Sequence, residues 1–174
     1  MTPFAKKLGL RAPIIQAPMA GGPSSKELVA AASAAGALGS FGFAYTQPDE
    51  MKRQAEWVRA RTSAPFGINL FVSPQPSPVP PEQQRSAMQA VARYFAELGL
   101  PAPEPVKAPY APDLDAQLAA VEEIRPAVFT VHLGGLSAEQ VRRYKAKGIV
   151  VGGSANCVAE AKSLEAAEIG RAHV

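Results

Sequence analysis

The sequence predicts an α/β protein with a parallel sheet, specifically part of a (β/α)8 barrel, on three observations. Short apolar runs alternate with longer runs of helical spacing, and parallel strands need such crossover helices between them. The first strand-to-helix turn, at 17–23, lacks the G-x-G-x-x-G spacing of a dinucleotide-binding fold. Polar residues end the predicted strands (Gln16, Asn69, His132 and Ser154), where a barrel builds its active site.

The first 72 residues contain three predicted strands, at 13–18, 38–43 and 65–72. The first strand is short, buried and edged by proline at both ends. The helix that follows it is capped by Ser24 or Ser25 and stopped by a glycine. The expected buried face of this helix is Leu28, Val29, Ala32 and Ala35.

A second helix is predicted at 48–61, with proline in its first turn. Its expected buried stripe is Met51, Ala55 and Val58. An insertion then interrupts the alternation at 74–112, a proline-rich stretch in which 81–98 has helical spacing. We interpret this insertion as a lid or binding element that covers one face of the sheet, with an ordinary flexible connection as the alternative.

The alternation resumes after the insertion. Helices are predicted at 113–125, 137–147 and 158–167, and strands at 127–132 and 149–152. A complete barrel takes ~250 residues. We therefore expect a partial barrel of about five βα units.

The expected domain is 1–167, with 74–112 as an insertion within it. The last seven residues, 168–174 (EIGRAHV), interrupt the pattern where a glycine turn and a sixth strand are expected. They resemble the in-frame translation of a sequencing adapter. We expect them to be a non-native tail and assign His173 no chemical role; a natural C-terminus is the alternative.

The composition excludes several classes of function. Hydrophobic residues make up 47% and charged residues 19%, as in globular domains. The net charge of +3 comes from scattered basic residues, so no nucleic-acid partner is expected. Cys157 is the only cysteine, which excludes an internal disulfide and a multi-cysteine metal site. No apolar run approaches a membrane span or a signal peptide, so the expected compartment is a reducing cytoplasm.

Two polar residues in apolar strands are the strongest candidates for chemistry. His132 precedes Leu133, Gly134 and Gly135, and glycines there would let a ligand approach the imidazole, which can act as a base or a donor. A core histidine satisfied by backbone is an equal alternative. Asn69 needs a partner, because burying an unpaired amide costs about 1–3 kcal/mol. Either the polar edge of a cofactor ring or a neighbouring backbone would serve.

Two glycine-containing turns are weaker candidates. The turn at 16–22 can lay its backbone against a planar ring, on which Met19 could pack. Gly152, Gly153 and Ser154 could meet a phosphate or ribityl chain, although a plain turn with a helix cap is at least as consistent. Paired carboxylates, metal-ligand spacings and Ser-His-Asp sets cannot be assembled from this sequence, so no metal is expected.

These segments together resemble a known family. PIIQAPMAGG at 13–22, GINLF at 67–71, VHLG at 131–134 and VGGSA at 151–155 occur in the same order as in nitronate monooxygenases, formerly called 2-nitropropane dioxygenases. The resemblance covers 4–167. It implies an FMN-containing TIM barrel that oxidises alkyl nitronates, such as propionate 3-nitronate, with O2 to a carbonyl compound and nitrite.

The resemblance also implies roles for individual residues. The residues assigned to FMN are Ala17, Pro18, Met19, Asn69 and Ser154. His132 matches the active-site histidine, which removes a proton from neutral nitroalkanes in some members and binds the nitronate anion in others. The family's later glycine-rich segment and phosphate-binding loops have no counterpart in 1–174. We therefore expect this chain by itself to bind FMN poorly and to be inactive.

Two alternatives remain open at this point. An FMN-dependent enoyl-acyl-carrier-protein reductase resembles the same barrel and motifs. A non-catalytic fragment that self-associates is the other alternative, because an open barrel has two unpaired strand edges.

Overall fold

The computed structural model describes residues 1–73, 79–105, 107 and 109–169. The chain divides into two compact units, Met1–Ser73 with Pro112–Val174 and Pro74–Ala111. The first unit contains the sheet and all the candidate site residues that the structure describes. His173 lies outside the described residues, as does most of the predicted non-native tail.

The sheet of the first unit has four parallel strands. They are β1 (Gly39–Gly42), β2 (Phe66–Phe71), β3 (Val128–His132) and β4 (Val150–Gly153). They lie in the order β1-β2-β3-β4, each paired in parallel with the next. This sequential order with intervening helices is the arrangement of a (β/α)8 barrel, and it confirms the predicted fold class.

Helices connect the strands. In chain order they are α1 (Pro3–Lys7), α2 (Lys26–Ala34), α3 (Pro48–Arg59), α4 (Pro81–Glu97), α5 (Leu114–Ile124), α6 (Ala138–Ala146) and α7 (Val158–Ala166). Their ends follow the caps in the sequence: Ser25 accepts from a first-turn amide of α2, and Ser137 forms a capping box with Gln140 at α6. The short helix α1 was not predicted. No helix within the described residues is long and apolar enough to cross a membrane.

The predicted first strand at 13–18 is wrong in extent and in burial. Only a single parallel bridge, Ile15 with Leu38, forms there, and Ile14 and Ile15 are more than half exposed. Pro13 and Pro18 cannot donate to a ladder. The described residues also provide no second strand on the far side of this segment, so one flank of it faces solvent.

The buried face of the helix α2 shares only Val29 with the predicted one. It buries Val29, Ala30 and Ser33, whereas Leu28 is 38% exposed. The backbone of β1 approaches this face closely, since a Cβ at Gly39 would overlap the carbonyl of Val29. The amide of Gly39 donates to the Ser33 hydroxyl at 3.2 Å. Close backbone contact, rather than side-chain apolarity, therefore orients the helix.

The core lies between the sheet and the helices α2, α3, α5 and α6. The stripe predicted on α3 is confirmed, because Met51, Ala55 and Val58 are buried. Phe129 of β3 packs against the ring of Tyr144 of α6 at 4.9 Å between centroids. The largest fully buried side chains are Tyr144, Phe41, Phe129, Leu38, Met51, Ile68 and Leu70.

The second unit contains the helix α4, within the stretch where helical spacing predicted one. The helix ends at Glu97 and is capped by Leu98. Gly99 follows with a φ of +65°, a left-handed conformation that glycine adopts without strain. Whether this unit serves as a lid stays a prediction.

Candidate active site

A row of four residues crosses the sheet near the carboxyl ends of its strands. Gly42 is in register with Asn69, Asn69 with Thr130, and Thr130 with Gly152. Residues in register on parallel strands point to the same face. The row therefore places two polar side chains side by side, with a glycine on each flank.

Asn69 and His132 form the closest polar contact of this region. The Asn69 amide nitrogen lies 2.7 Å from Nδ1 of His132. The same nitrogen is 2.8 Å from the Thr130 hydroxyl and 3.1 Å from the Thr130 carbonyl oxygen. Asn69 is only 4% exposed, whereas His132 is exposed. The structure thus brings two of the predicted site residues together and identifies Thr130 as a third member that the sequence did not single out.

The turn at 16–22, which was predicted to contact a cofactor through Ala17, Pro18 and Met19, passes beside Gly42. A Cβ at Gly42 would stand 2.6 Å from the carbonyl carbon of Met19 and from the amide nitrogen of Ala20. The loop backbone therefore passes directly over the register partner of Asn69. This close approach requires a glycine at position 42, because any side chain would displace the loop.

A buried hydroxyl fixes the shape of that loop. The Ser24 hydroxyl, 7% exposed as a residue, accepts from the Met19 amide at 2.8 Å and donates to the Ala17 carbonyl at 3.3 Å. The side-chain nitrogen of Gln16 donates to the same hydroxyl at 3.1 Å. The side-chain oxygen of Gln16 accepts from the backbone N–H of Ser40 at 2.9 Å. Ser24 is thus a loop-organising residue, and the sequence suggested for it only a possible cap.

An aromatic pair lies next to His132. Phe71 is the register partner of His132, one layer beyond the pair of Asn69 and Thr130. The ring of Tyr45 meets the ring of Phe71 edge-on at 6.0 Å between centroids. Tyr45 is 63% exposed, so this pair offers an accessible apolar wall beside the imidazole.

The two glycines after His132 have different surroundings. The residue in the left-handed region is Leu133, with a φ of +63°, a conformation costing a non-glycine residue about 1–2 kcal/mol. Gly134 is needed for packing, since its Cβ would lie 2.6 Å from the Val72 carbonyl oxygen. Gly134 is therefore in close contact with the segment after β2, and the approach of a ligand past these glycines stays a prediction.

Among the described residues, no hydrogen bond joins Ser154 to the pair of Asn69 and His132. Ser154 follows β4 and is half-buried, and its hydroxyl makes no hydrogen bond to another described residue. The glycines before it also meet side chains: a Cβ at Gly152 would be 3.1 Å from the Thr130 methyl group, and one at Gly153 would be 3.1 Å from Leu164. Any role of Ser154 toward a cofactor stays a prediction.

The strongest charge interactions lie on the helices, away from the strand ends. Hydrogen bonds from Lys147 and the nearby Arg143 hold the pKa of Glu122 below its ordinary range. Burial raises the pKa of the Tyr144 hydroxyl. Among the described residues, no cluster of three or more His, Cys, Asp or Glu side chains could hold a metal ion. The side chains brought together at the strand ends carry an amide, a hydroxyl and an imidazole group.

The chain is similar to known proteins over nearly its whole length. The family model "Nitronate monooxygenase" matches residues 2–170. A nitronate monooxygenase of Pseudomonas aeruginosa is 36% identical over 166 residues, which cover 94% of this chain and 47% of that protein. The chain thus spans about half the length of the curated relatives it matches.

Solved structures show the same architecture. The nitroalkane oxidase from Streptomyces ansochromogenes has a TM-score of 0.79 at 30% identity, covering 96% of this chain and 46% of that one. FabK from Thermotoga maritima has a TM-score of 0.66 at 22% identity, covering 96% of this chain and 41% of that one, a likeness of fold alone. With the family model matching nearly every residue and the paired Asn69 and His132 inside the matched region, this chain belongs to the nitronate monooxygenase family.

Proposed function

We propose that the protein to which this chain belongs is a flavin-dependent enzyme that oxidises alkyl nitronates with O2, giving a carbonyl compound and nitrite. The contact of Asn69 with His132, 2.7 Å long at the carboxyl ends of β2 and β3, carries the proposal. It presents an exposed imidazole, held by a buried amide, at the strand ends where barrel enzymes act. Family membership supports the same reaction class.

We propose FMN as the cofactor, and the residues at the strand ends fit its ring. The backbone of Ala17–Ala20 is held by Ser24, which gives a planar ring a fixed surface of peptide groups. Asn69 uses its amide nitrogen on Thr130 and His132. Its Oδ1 has no hydrogen bond to another described residue, so it can accept from the polar edge of the ring.

The FMN phosphate has fewer candidate partners. Ser154 offers a hydroxyl after β4, and the segment 154–157 contains no basic side chain. Barrels of this kind usually grip the phosphate with loops after strands seven and eight. We therefore expect the 174-residue chain by itself to bind FMN weakly and to be inactive.

The side chains at the strand ends have separate tasks toward the substrate. When bound, flavin supplies the electron acceptor and the route to O2. His132 meets the delocalised negative charge of the nitronate, which suits a preorganised N–H donor. Tyr45 and Phe71 form the apolar wall for the alkyl part and limit the access of water to the imidazole.

The alternative activity, an FMN-dependent enoyl-acyl-carrier-protein reductase, has less support. The relatives that match this chain over most of its length are nitronate monooxygenases. The likeness to FabK, at 22% identity, concerns the fold only. An exposed imidazole beside an apolar wall is compatible with both activities, so the reaction itself must separate them.

The test is an assay of the protein expressed from its complete reading frame and loaded with FMN. We expect O2 uptake and nitrite release with propionate 3-nitronate, and no NAD(P)H consumption with an acyl substrate. His132→Gln should reduce kcat/KM for the nitronate at least about tenfold. The control, Gln54→Met on α3, should leave it unchanged. A protein that remains colourless after incubation with FMN, or releases no nitrite, would refute the proposal.

We further propose that 1–167 is barrel sequence with 74–112 inserted, and that 168–174 is not native. Ile169 packs in the core, and Lys145 pairs with Glu168 at 3.0 Å. Position 168 therefore accepts an acidic residue and position 169 an apolar one, whether or not the tail is native. Reading the source gene downstream of codon 167 tests the proposal, which fails if the EIGRAHV codons are found there.

The proposed compartment is the cytoplasm, and the proposed partners are the small nitronate and O2. Because β1 and β4 are the outer strands of the described sheet, we also propose self-association of the isolated chain through these edges. Size-exclusion chromatography over a range of concentrations would reveal it, and a monomer at all concentrations would contradict it.

A further inference from the structure

The orientation of the Asn69 side-chain amide is determined by its surroundings. Its Nδ2 lies 3.1 Å from the carbonyl oxygen of Thr130, and a carbonyl oxygen can only accept a hydrogen bond. The reverse orientation would place the Asn69 side-chain oxygen against the Thr130 carbonyl oxygen. Both atoms are acceptors, and Asn69 is only 4% exposed. The –NH2 group therefore faces Thr130, and one of its hydrogens is shared between the carbonyl oxygen at 3.1 Å and the hydroxyl oxygen at 2.8 Å. The other hydrogen is directed at Nδ1 of His132.

This orientation determines which nitrogen of His132 carries the proton. The amide nitrogen donates, so Nδ1 of His132, at 2.7 Å, must accept with its lone pair. A neutral imidazole has one N–H, which is then on Nε2. With the proton on Nδ1 instead, two N–H groups would point at each other across this short distance.

We propose that Asn69 is a positioning residue that holds His132 in the Nε2–H tautomer, so that His132 meets the substrate as a hydrogen-bond donor and not as a base. The inference rests on the proposed function and makes it more specific. A base needs a free lone pair directed at the substrate, and the single lone pair of this ring is occupied by Asn69. Nε2 has no hydrogen bond to another described residue, and the imidazole is exposed.

The consequence is a preference for substrates that are already anions. A nitronate has lost its carbon-bound proton before it binds, and its oxygens can accept from the Nε2–H group. A neutral nitroalkane must first lose that proton, and the held imidazole has no lone pair facing it. This preference is consistent with the nitronate substrate of the proposed function, and the new element is the role of Asn69 in setting it.

The tautomer can be measured without cofactor or turnover. Long-range 1H–15N correlation spectra of the 15N-labelled chain distinguish a protonated from an unprotonated imidazole nitrogen. The chain has only two histidines, so His173→Gln assigns the signals of His132. We expect the neutral ring of His132 to carry its proton on Nε2. A neutral ring protonated on Nδ1 would overturn the proposal.

Variants separate the effect of Asn69 from that of its neighbours. Asn69→Asp replaces the donor with an acceptor, and the proton should move to Nδ1. The matched control, Thr130→Val, removes a hydroxyl but keeps the carbonyl that orients the amide, so the proton should stay on Nε2. If Asn69→Asp does not fold, Asn69→Leu should give a mixture of tautomers. A folded variant at position 69 that retains only the Nε2–H form would refute the role of Asn69.

Kinetics test the consequence in the FMN-loaded protein from the complete reading frame. Asn69→Asp should lower the ratio of kcat/KM for propionate 3-nitronate to that for neutral 3-nitropropionate by about tenfold or more. An unchanged ratio in a folded, flavin-loaded variant would overturn the inference. If the unaltered enzyme oxidises no nitronate at all, the proposed function fails instead, while the spectrum still decides the tautomer.

Discussion

Replacing Gly42 with alanine tests the placement of the proposed cofactor loop. The added Cβ would stand 2.6 Å from backbone atoms of Met19 and Ala20. Backbone held by the Ser24 hydroxyl cannot rotate away as the tip of a side chain can. Gly42→Ala must therefore move the loop or the strand β1.

The magnitude follows from two opposing effects. Overpacking of this kind costs about 1–3 kcal/mol. Alanine at a position with ordinary φ also restricts the unfolded chain, which offsets about 0.4–1 kcal/mol of that loss. We expect Gly42→Ala to lower the free energy of unfolding by about 1–2 kcal/mol. For a chain of this size, Tm should fall by about 2–8 °C.

Gly135 provides the matched control. Its φ is not positive, and the nearest atom to its added Cβ is a Leu164 methyl carbon at 4.0 Å, an ordinary contact. Gly135→Ala should therefore leave Tm unchanged or raise it slightly. Differential scanning calorimetry of both variants beside the unaltered chain measures the difference.

Flavin titration of the protein from the complete reading frame gives the functional side of the same test. If the loop at Ala17–Ala20 supports the ring, Gly42→Ala should raise the Kd for FMN by about tenfold, while Gly135→Ala should leave it unchanged. A Gly42→Ala protein that melts at or above the Tm of the unaltered chain, and binds FMN equally well, would refute the reasoning.

Three further variants test the packing behind the site by thermal unfolding. Glu122, which is bound by Lys147 at 2.9 Å, has a lowered pKa; Glu122→Gln should cost about 0.5–1 kcal/mol at pH 7. The pKa of Glu122 in the folded chain lies below the reference value of roughly 4.3, so the loss should disappear as the pH falls through that lowered pKa and the carboxylate is protonated. A loss that persists at pH 2.5 would contradict this explanation. Tyr144→Phe removes a buried donor to the Leu118 carbonyl at 3.0 Å and should cost about 1–2 kcal/mol, so an unchanged Tm would argue against this bond. Gln117→Met removes two donated bonds of 2.9 Å to carbonyls after β1 and should cost about 1–3 kcal/mol, whereas Gln54→Met on the exposed side of α3 should cost little.

Most of the fold could be predicted from the sequence because each element satisfies its own local pattern. The helix predicted at 48–61 occurs as Pro48–Arg59, with the expected stripe buried. The segment at 13–18 fails because Pro13 and Pro18 cannot donate to a ladder, and its pairing with the neighbouring chain stops at the single bridge of Ile15 with Leu38. Periodicity reports side-chain preference, and it does not report whether a partner strand is present.

The site could be predicted in its parts and not in its assembly. Asn69 and His132 were identified separately, as polar residues in apolar strands. Their contact spans 63 positions of sequence and depends on the register that pairs Asn69 with Thr130 and Phe71 with His132. A shift by one residue would turn these side chains to opposite faces. Nothing in either strand alone specifies that register, so the held tautomer of His132 becomes visible only in three dimensions.

Glycines and buried amides differ in what they reveal about function. A glycine at a strand end leaves space where a Cβ would be, and either a ligand or a neighbouring backbone can occupy that space. At Gly42 and Gly134 the neighbour is the protein itself. A buried amide must instead be paired, and each pairing restricts what its partner can do. In this chain the amide of Asn69, rather than any glycine motif, therefore carries the information about how His132 acts.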